Sequence, residues 1–380
     1  MLKRLSWLLV VVAICACKGG HDNGTTTAGD TLRMKYAEQL EIVRYDGYTV
    51  VKLSDPWNRG KTLHTYILVP RDASLPDGLP AGSVVRTPLQ RTVVATSVHC
   101  GLFSDMHRQT AIAGVCDTRY IHLPFVQQGV KDGSMKDCGS GLQPTLESII
   151  DLQPDAIFLS PFQNSGGYGR IEELKVPIIE TADYMETSAL GRAEWMRFYG
   201  MLFGAESEAD SIFQTVENNY LDLCRQARGS TSRPSLLMDK LTGNVWYVPG
   251  GQSTLGKIIA DAAIDYPWAD DDHSGSLPLP FETILEKAAH ADLWLFRYNG
   301  PTITLGMLAS DYIGYKQFDA YKNGKAYGCS TDASTFYEDT PFHPDRLLRD
   351  FICIAHPELG LGEPKYFLQV NGEPLAKTEN

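Results

Sequence analysis

The chain is predicted to fold as two similar α/β lobes with parallel sheets, bridged by a long helix and preceded by a small N-terminal antiparallel β segment. Three observations predict this. Short apolar runs alternate with helical stretches in both halves, the rhythm of a parallel sheet covered by helices. A long helical tract separates the halves. One helix–turn–strand block occurs on each side of that tract.

The N-terminus begins with Lys3 and Arg4 and continues with an apolar stretch from Leu5 to Ile14. That stretch is too short to span a bilayer and has the pattern of a secretory signal. It ends in Ile14-Cys15-Ala16-Cys17, which resembles the lipobox of bacterial lipoproteins. The resemblance makes residues 1–16 a signal peptide and Cys17 the lipid-modified first residue of the mature chain. Residues 17–34, rich in Gly, Thr, Asp and Asn, are expected to be a tether. No later segment reaches eighteen uninterrupted apolar residues, so the lipid would be the anchor.

Formal charge is −12, and loss of Lys3 and Arg4 with the signal leaves −14. A balance this acidic argues against nucleic acid as a partner. The length suits two domains better than one core. Beyond Cys15 and Cys17 the chain holds Cys100, Cys116, Cys138, Cys224, Cys329 and Cys353, with no C-x-x-C among them. Mostly free, buried thiols are expected, since a chain of this size does not depend on staples.

The first lobe is expected at 35–186. Its β prelude, to about residue 90, contains a hairpin at Asp46-Gly47 and an alternating run from Leu63 to Val69. Pro70 to Pro88 reads as a Pro/Gly-rich connection. Strands follow at Thr92–Thr96, Ala111–Val115, Ala156–Leu159 and Val176–Ile179. The bridge is expected at 187–230, with one helix from Ser188 to Phe203 stopped by Gly204 and a second from Ser207 to Arg228. Ser207 and Asp210 have the spacing of a capping box, and the second helix would extend about 33 Å. The second lobe, 231–380, has strands at Ser235–Met238, Asn244–Val248 and Asp292–Phe296. Helices are expected at Ser253–Ala263 and Asp345–Ala355.

The repeat pairs Thr145-Leu146-Glu147-Ser148-Ile149-Ile150, leading to Pro154-Asp155-Ala156-Ile157, with Pro280-Phe281-Glu282-Thr283-Ile284-Leu285, leading to Ala291-Asp292-Leu293-Trp294. Each copy is a glutamate at a helix start, an apolar helix face, an Asp turn and an apolar strand. With the Val-Pro-Ile-Ile run at Val176 and the Val248-Pro249-Gly250-Gly251 turn, this order of features resembles the substrate-binding proteins of ABC importers for iron complexes and cobalamin, over roughly Arg91 to Leu359. The resemblance implies a ligand clamped between two lobes and no catalysis. It also implies that Glu147 and Glu282 dock onto arginines of an inner-membrane permease, as carboxylates at helix N-termini favoured by the helix dipole. A leash on the periplasmic side of the inner membrane follows, and the absence of an acidic cluster after Cys17 points the same way. A monomer is expected.

In open α/β sheets ligands sit beyond the carboxyl ends of the strands. That rule selects Ser97, His99 and Cys100 after the first strand, Asp117 and Tyr120 after the second, and Ser140 in the next turn. It also selects Asn164, Ser165 and Tyr168 in the loop Gln163–Gly169. From the second lobe come Tyr247, Gly250, Gly251, Arg297, Tyr298 and Asn299, with Thr335, Phe336, Tyr337 and Glu338. Aromatic, amide and glycine residues suit a large flat or caged ligand. The ligand classes implied are a ferric siderophore, haem or a corrinoid. Each arrives with its metal enclosed, so no intrinsic cofactor and no protein metal ligand are expected. Two alternatives stay open: an exported α/β hydrolytic enzyme, and a solute-sensing lipoprotein without a permease. The first lacks a G-x-S-x-G elbow, a phosphate-binding G-x-x-x-x-G-K-[ST] loop and an H-E-x-x-H helix. The paired glutamates argue against the second.

Overall fold

The computed structural model describes residues 29–164 and 167–372. The expected signal, Cys17, most of the tether and Ser165 lie outside the described residues. The chain opens with a five-stranded sheet, β1 (Asp30–Leu32), β2 (Leu40–Tyr45), β3 (Tyr48–Ser54), β4 (Thr62–Pro70) and β5 (Ser83–Thr87), in that spatial order. The hairpin falls at Asp46-Gly47, where Gly47 takes φ 80°, a value the tight turn requires and glycine adopts without strain. Two expectations need correction. Strand β1 begins at Asp30, inside the expected tether, because Leu32 pairs with Ile42 and packs on the core. Strand β5 lies within the expected Pro70–Pro88 connection and runs parallel to β4; its apolar content, Val84-Val85, is too short to show a period.

Between β1 and β2 the chain is fastened to the bridge by two buried carboxylates. Glu194 accepts from the backbone N–H groups of Lys35, Tyr36 and Ala37 at 2.7–3.0 Å. Glu186 accepts from those of Glu38 and Gln39 at 3.0–3.1 Å.

The first lobe contains β6 (Thr92–Val94), α1 (Ser97–Asp105), β7 (Ile112–Val115), α2 (Pro124–Asp132), β8 (Lys136–Asp137), α3 (Leu146–Leu152), β9 (Ala156–Leu159) and β10 (Ile178–Glu180). Its sheet is parallel throughout, in the order β10-β9-β6-β7-β8. The bridge is α4 (Ala189–Glu194), α5 (Met196–Phe203) and α6 (Glu206–Gly229). Gly204 ends α5 at φ 60°. The expected capping box is not used: Ala205 is the N-cap of α6, and Ser207 donates instead to Glu208 at 2.8 Å.

Helix α6 serves both lobes. Near its start Glu208 accepts from Arg108 of the first lobe at 3.2 Å. Farther along, Asn219 donates to Asp345 at 3.1 Å and the Tyr220 hydroxyl to Asp261 at 2.8 Å, both in the second lobe. Phe213, Val216, Tyr220, Leu223 and Ala227 form its buried stripe, at the spacing of one helical face.

The second lobe comprises β11 (Leu236–Met238), β12 (Leu241–Thr242), β13 (Val245–Pro249), α7 (Thr254–Asp261), β14 (Ser276–Leu279), α8 (Phe281–Ala288), β15 (Leu293–Tyr298), α9 (Leu305–Asp311), α10 (Asp319–Lys322), β16 (Ala326–Ser330), α11 (Phe336–Asp339), α12 (Pro344–Ala355) and β17 (Leu368–Gln369). Its main sheet runs β11-β15-β16-β17, parallel except for β17, beside a small antiparallel sheet β12-β13-β14. Trp246, Trp294, Tyr315 and Phe318 pack edge-on or tilted at 5.1–6.1 Å in its core. Each ring that is fully buried contributes on the order of 2–3 kcal/mol.

Both copies of the repeat form a helix–turn–strand unit, and their aspartates do the same work. Asp155 accepts from the backbone N–H groups of Gln90 and Arg91 at 2.8 and 3.0 Å, just before β6. Asp292 accepts from the backbone N–H and hydroxyl of Ser235 at 2.8 and 2.7 Å, just before β11. Each fixes the start of its lobe's first strand. The cysteines at 100, 116, 138, 224, 329 and 353 are buried and unpaired; burial pushes the Cys138 and Cys224 thiols up to about 11, which keeps them unreactive at neutral pH.

Candidate functional site

At the carboxyl ends of β11 and β15 the second lobe holds a cavity of about 730 Å³, lined among others by Asp239, Tyr247, Arg297, Tyr298, Asn299 and Tyr337. Asp239 follows directly on β11 and takes a left-handed φ of 62°, a conformation uncommon outside glycine but one that aspartate adopts more readily than most residues. Its carboxylate receives two bonds from the Arg297 guanidinium, at 3.0 and 2.5 Å. Burial lowers the Arg297 pKa, but the charge and hydrogen bonds of the adjacent Asp239 outweigh it and raise it above the usual guanidinium value. Lys240 and Asp311 place a second, looser pair 3.9 Å apart on the same wall.

The first lobe has its own cavity, about 530 Å³, beyond the carboxyl end of β9. Leu142, Leu146, Phe162 and Ile171 line it with Tyr168 and Arg170. Phe162 is half exposed and Leu142 almost fully so, large apolar surfaces available to a partner molecule. The lobes meet at α1 and α11. A Cβ on Gly101 would stand 2.3 Å from the Glu338 carbonyl oxygen, so only glycine permits this approach. The Glu338 carboxylate accepts from the His122 backbone N–H at 2.9 Å, and His343 meets Asp105 at 2.7 Å. Tyr337, beside Glu338, therefore joins the second lobe's cavity to the seam between the lobes.

The expected site residues divide sharply. Tyr247, Arg297, Tyr298, Asn299 and Tyr337 come together in one cavity, and Tyr168 lines the other. Asn164 is exposed on a separate cavity beside the N-terminal sheet. Tyr120 and Ser140 are exposed, and Ser97 is half-buried in the first turn of α1; none of the three lines a described cavity. Four expectations are overturned. His99 and Cys100 are buried in the first lobe's core, because α1 turns them inward under β6. His99 is committed to Asp183 at 2.9 Å, Tyr199 at 3.2 Å and Thr96 at 2.6 Å. Gly250 and Gly251 are buried where a Cβ would lie 2.3 Å from the carbonyl oxygens of His273 and Ala269, so they serve the turn before α7 and not a ligand.

Glu147 and Glu282 are exposed in the first turns of α3 and α8. Each helix leads back into its lobe's sheet, which leaves the glutamate toward the carboxyl ends of the strands. Asp239, Lys240, Phe162 and Arg170 were missed. The carboxyl-end rule could have found Asp239, which follows Leu236-Leu237-Met238 as Ser97 follows the first strand. Phe162 and Arg170 carry no comparable signal. Among the described residues no helix is long and apolar enough to cross a membrane, and no group of three candidate metal ligands occurs.

The chain is 25% identical to an uncharacterized lipoprotein of Methanocaldococcus jannaschii over 90% of its own length and 86% of that protein's. In fold it is similar to a periplasmic heme binding protein from Pseudomonas aeruginosa, with TM-score 0.55, 15% identity, and 75% of this chain and 99% of that one covered. It is also similar to a petrobactin-binding protein from Bacillus subtilis, with TM-score 0.53, 19% identity, and 72% and 93% covered. Residues 115–333, more than half of the chain, match the periplasmic binding protein family: the chain belongs to that family.

Proposed function

We propose that the protein captures a metal chelate, a ferric siderophore, haem or a corrinoid, between its lobes and delivers it to an ABC permease while tethered by a lipid on Cys17. The observation that carries this reading is the pair of cavities at the carboxyl ends of two lobes bridged by one helix. One combines Leu142, Leu146, Phe162 and Ile171 with the polar Tyr168 and Arg170; the other is built around the Asp239–Arg297 pair. An enclosed chelate offers both apolar faces and ligand oxygens to such walls. The haem and petrobactin binding of two proteins with this fold, and the name of lipoprotein given to the archaeal relative, support the same reading.

Glu147 and Glu282 act in this reading as the permease contacts, one per lobe. Reversing both to lysine is expected to leave ligand affinity within about twofold and to abolish uptake. Loss of affinity in the reversed variant would instead make them part of the ligand site. Thermal shift of the purified protein with haem, cyanocobalamin and a ferric siderophore tests the ligand class. A shift with one of the three is expected, and no shift with any would refute the proposal.

A further inference from the structure

A separate cavity of about 600 Å³ lies where the N-terminal sheet meets β10, the edge strand of the first lobe. Glu180, the last residue of β10, is about nine-tenths buried on its wall. Its Oε1 accepts from the Tyr168 hydroxyl at 3.2 Å, while no described residue donates to Oε2. His64 of β4 stands 3.7 Å from that oxygen through Nδ1. The other ring nitrogen, Nε2, is 2.8 Å from Ser83 Oγ, and burial lowers the pKa of the ring. When Nε2–H is donated to Ser83, Nδ1 presents a lone pair, so two acceptors stand side by side with no donor between them. Oε2 has almost no exposed surface of its own, so a donor reaches the pair from the side of the His64 ring, which is about one-quarter exposed.

The rest of the wall narrows the donor's chemistry. Asp55 and Glu172 add two carboxylates against the single ammonium of Lys175, so positive charge is favoured. Trp57 and Phe162 add aromatic faces, which attract cations and pack an organic body. A bare divalent ion would want more ligands than this wall gathers, since the described residues hold no group of three candidate metal ligands. We propose that this cavity is a second ligand site that takes a small organic cation, a primary ammonium whose N–H groups meet Glu180 and His64 and whose body packs on Trp57 and Phe162. The loop bearing Phe162 and Tyr168 also walls the first lobe's cleft cavity, so a cation held here braces one side of the cleft.

Occupancy follows the charge of Glu180. Burial, partly offset by the Tyr168 hydrogen bond and reinforced by Asp55 and Glu172, pushes its carboxyl up to about 7. The groups around it are His64 and Tyr66 from β4, Asp55 after β3, and Tyr168, Glu172 and Lys175 between β9 and β10. Of these, burial lowers the pKa of His64, and Asp55 is held below the usual carboxylate value because its bonds from Asn58 and Trp57 outweigh burial.

Calorimetric titration of the full chain in non-ionic detergent with benzylammonium tests the site. One saturable site is expected, tightening about tenfold from pH 6 to pH 8 as a carboxyl titrating near 7 ionises. Glu180→Gln should remove that pH dependence and weaken binding at pH 8. Trp57→Ala, at a half-buried loop position, should weaken binding with an unchanged melting temperature, and it decides the matter should Glu180→Gln fail to fold. Absence of saturable binding, or binding untouched by Trp57→Ala or by a folded Glu180→Gln, would overturn the proposal. Chelate binding measured on the same samples keeps the cleft reading separate, because neither variant alters the Asp239–Arg297 wall.

Discussion

At the carboxyl end of the first lobe's sheet the cavity wall is Leu142, Leu146, Phe162 and Ile171 with Arg170 as its charged side chain, whereas at the same end of the second sheet the wall carries Asp239, Lys240, Arg297 and Asp311. The lobes are alike in topology and in the Asp155 and Asp292 turns that start their first strands. They differ in where ionised groups are placed. In the first lobe the strong polar cluster, His99 and Asp183 with Tyr199 and Arg192 of the bridge, is withdrawn from the cavity and stabilises the fold. In the second, the Asp239–Arg297 pair stands at the cavity, while Asp350 and the Asp339–Arg346 pair are held apart from it. Two lobes of like topology therefore carry unlike walls, one with more apolar surface and the other with oriented charge.

The sharpest way to break this contrast is Arg297→Ala. It leaves the Asp239 carboxylate without its partner on the cavity wall, and because the Arg297 side chain is about one-third exposed the loss is expected to cost about 1–2 kcal/mol of stability and about 100-fold in ligand affinity. Denaturant melts and ligand titration read the two effects. His99→Ala should cost about 2–3 kcal/mol, through lost bonds to Asp183 and Tyr199, with ligand affinity unchanged in the folded fraction. A large affinity loss there would place the His99 cluster at the site after all.

The pH dependence of stability follows from two carboxylates three residues apart. Burial would raise the Asp183 pKa, but His99 and Arg192 with their hydrogen bonds outweigh it and hold it down to about 2. A depressed pKa contributes stability above the unfolded value that is lost as pH falls from about 4 toward 2, on the order of 2 kcal/mol. Glu180, raised to about 7, has the opposite sign: its protonated form is favoured by the fold, and stability declines as pH rises from the usual carboxylate range through 7. Melting temperature against pH should show both limbs, and Glu180→Gln should flatten the upper one. The smallest effect expected is Phe162→Ala, about a fivefold loss of affinity from one half-exposed ring, with no change in stability.

The alternation of strand and helix was legible because each parallel strand is a compact apolar run, as at Ala156–Leu159 and Leu236–Met238, and because Gly47 and Gly204 mark their turns. Strand β5 was not, since it has only Val84-Val85 to offer, and β16 was not, since Ala326-Tyr327-Gly328-Cys329-Ser330 is weakly apolar. The rule that ligands sit at strand ends selected Arg297, Tyr298 and Asn299, and all three line the second lobe's cavity. It misplaced His99 and Cys100, because the rule gives the end of the sheet but not the direction in which the next helix turns its side chains. Gly250 and Gly251 were misread because a glycine needed for close packing against a carbonyl looks the same in sequence as one needed by a ligand. The second-lobe wall was legible from aromatic and charged residues at one strand end; the first-lobe wall, made of apolar loop residues, was not.

The most direct measurement is equilibrium titration of the full-length protein in non-ionic detergent with haem, a ferric siderophore and cyanocobalamin, run in parallel on the wild type, Arg297→Ala and Phe162→Ala. Ligand capture between two unlike walls predicts one-to-one binding of one of these chelates, weakened strongly by the substitution in the second lobe and mildly by that in the first. Binding of none of them, or binding indifferent to one of the two walls, would contradict it.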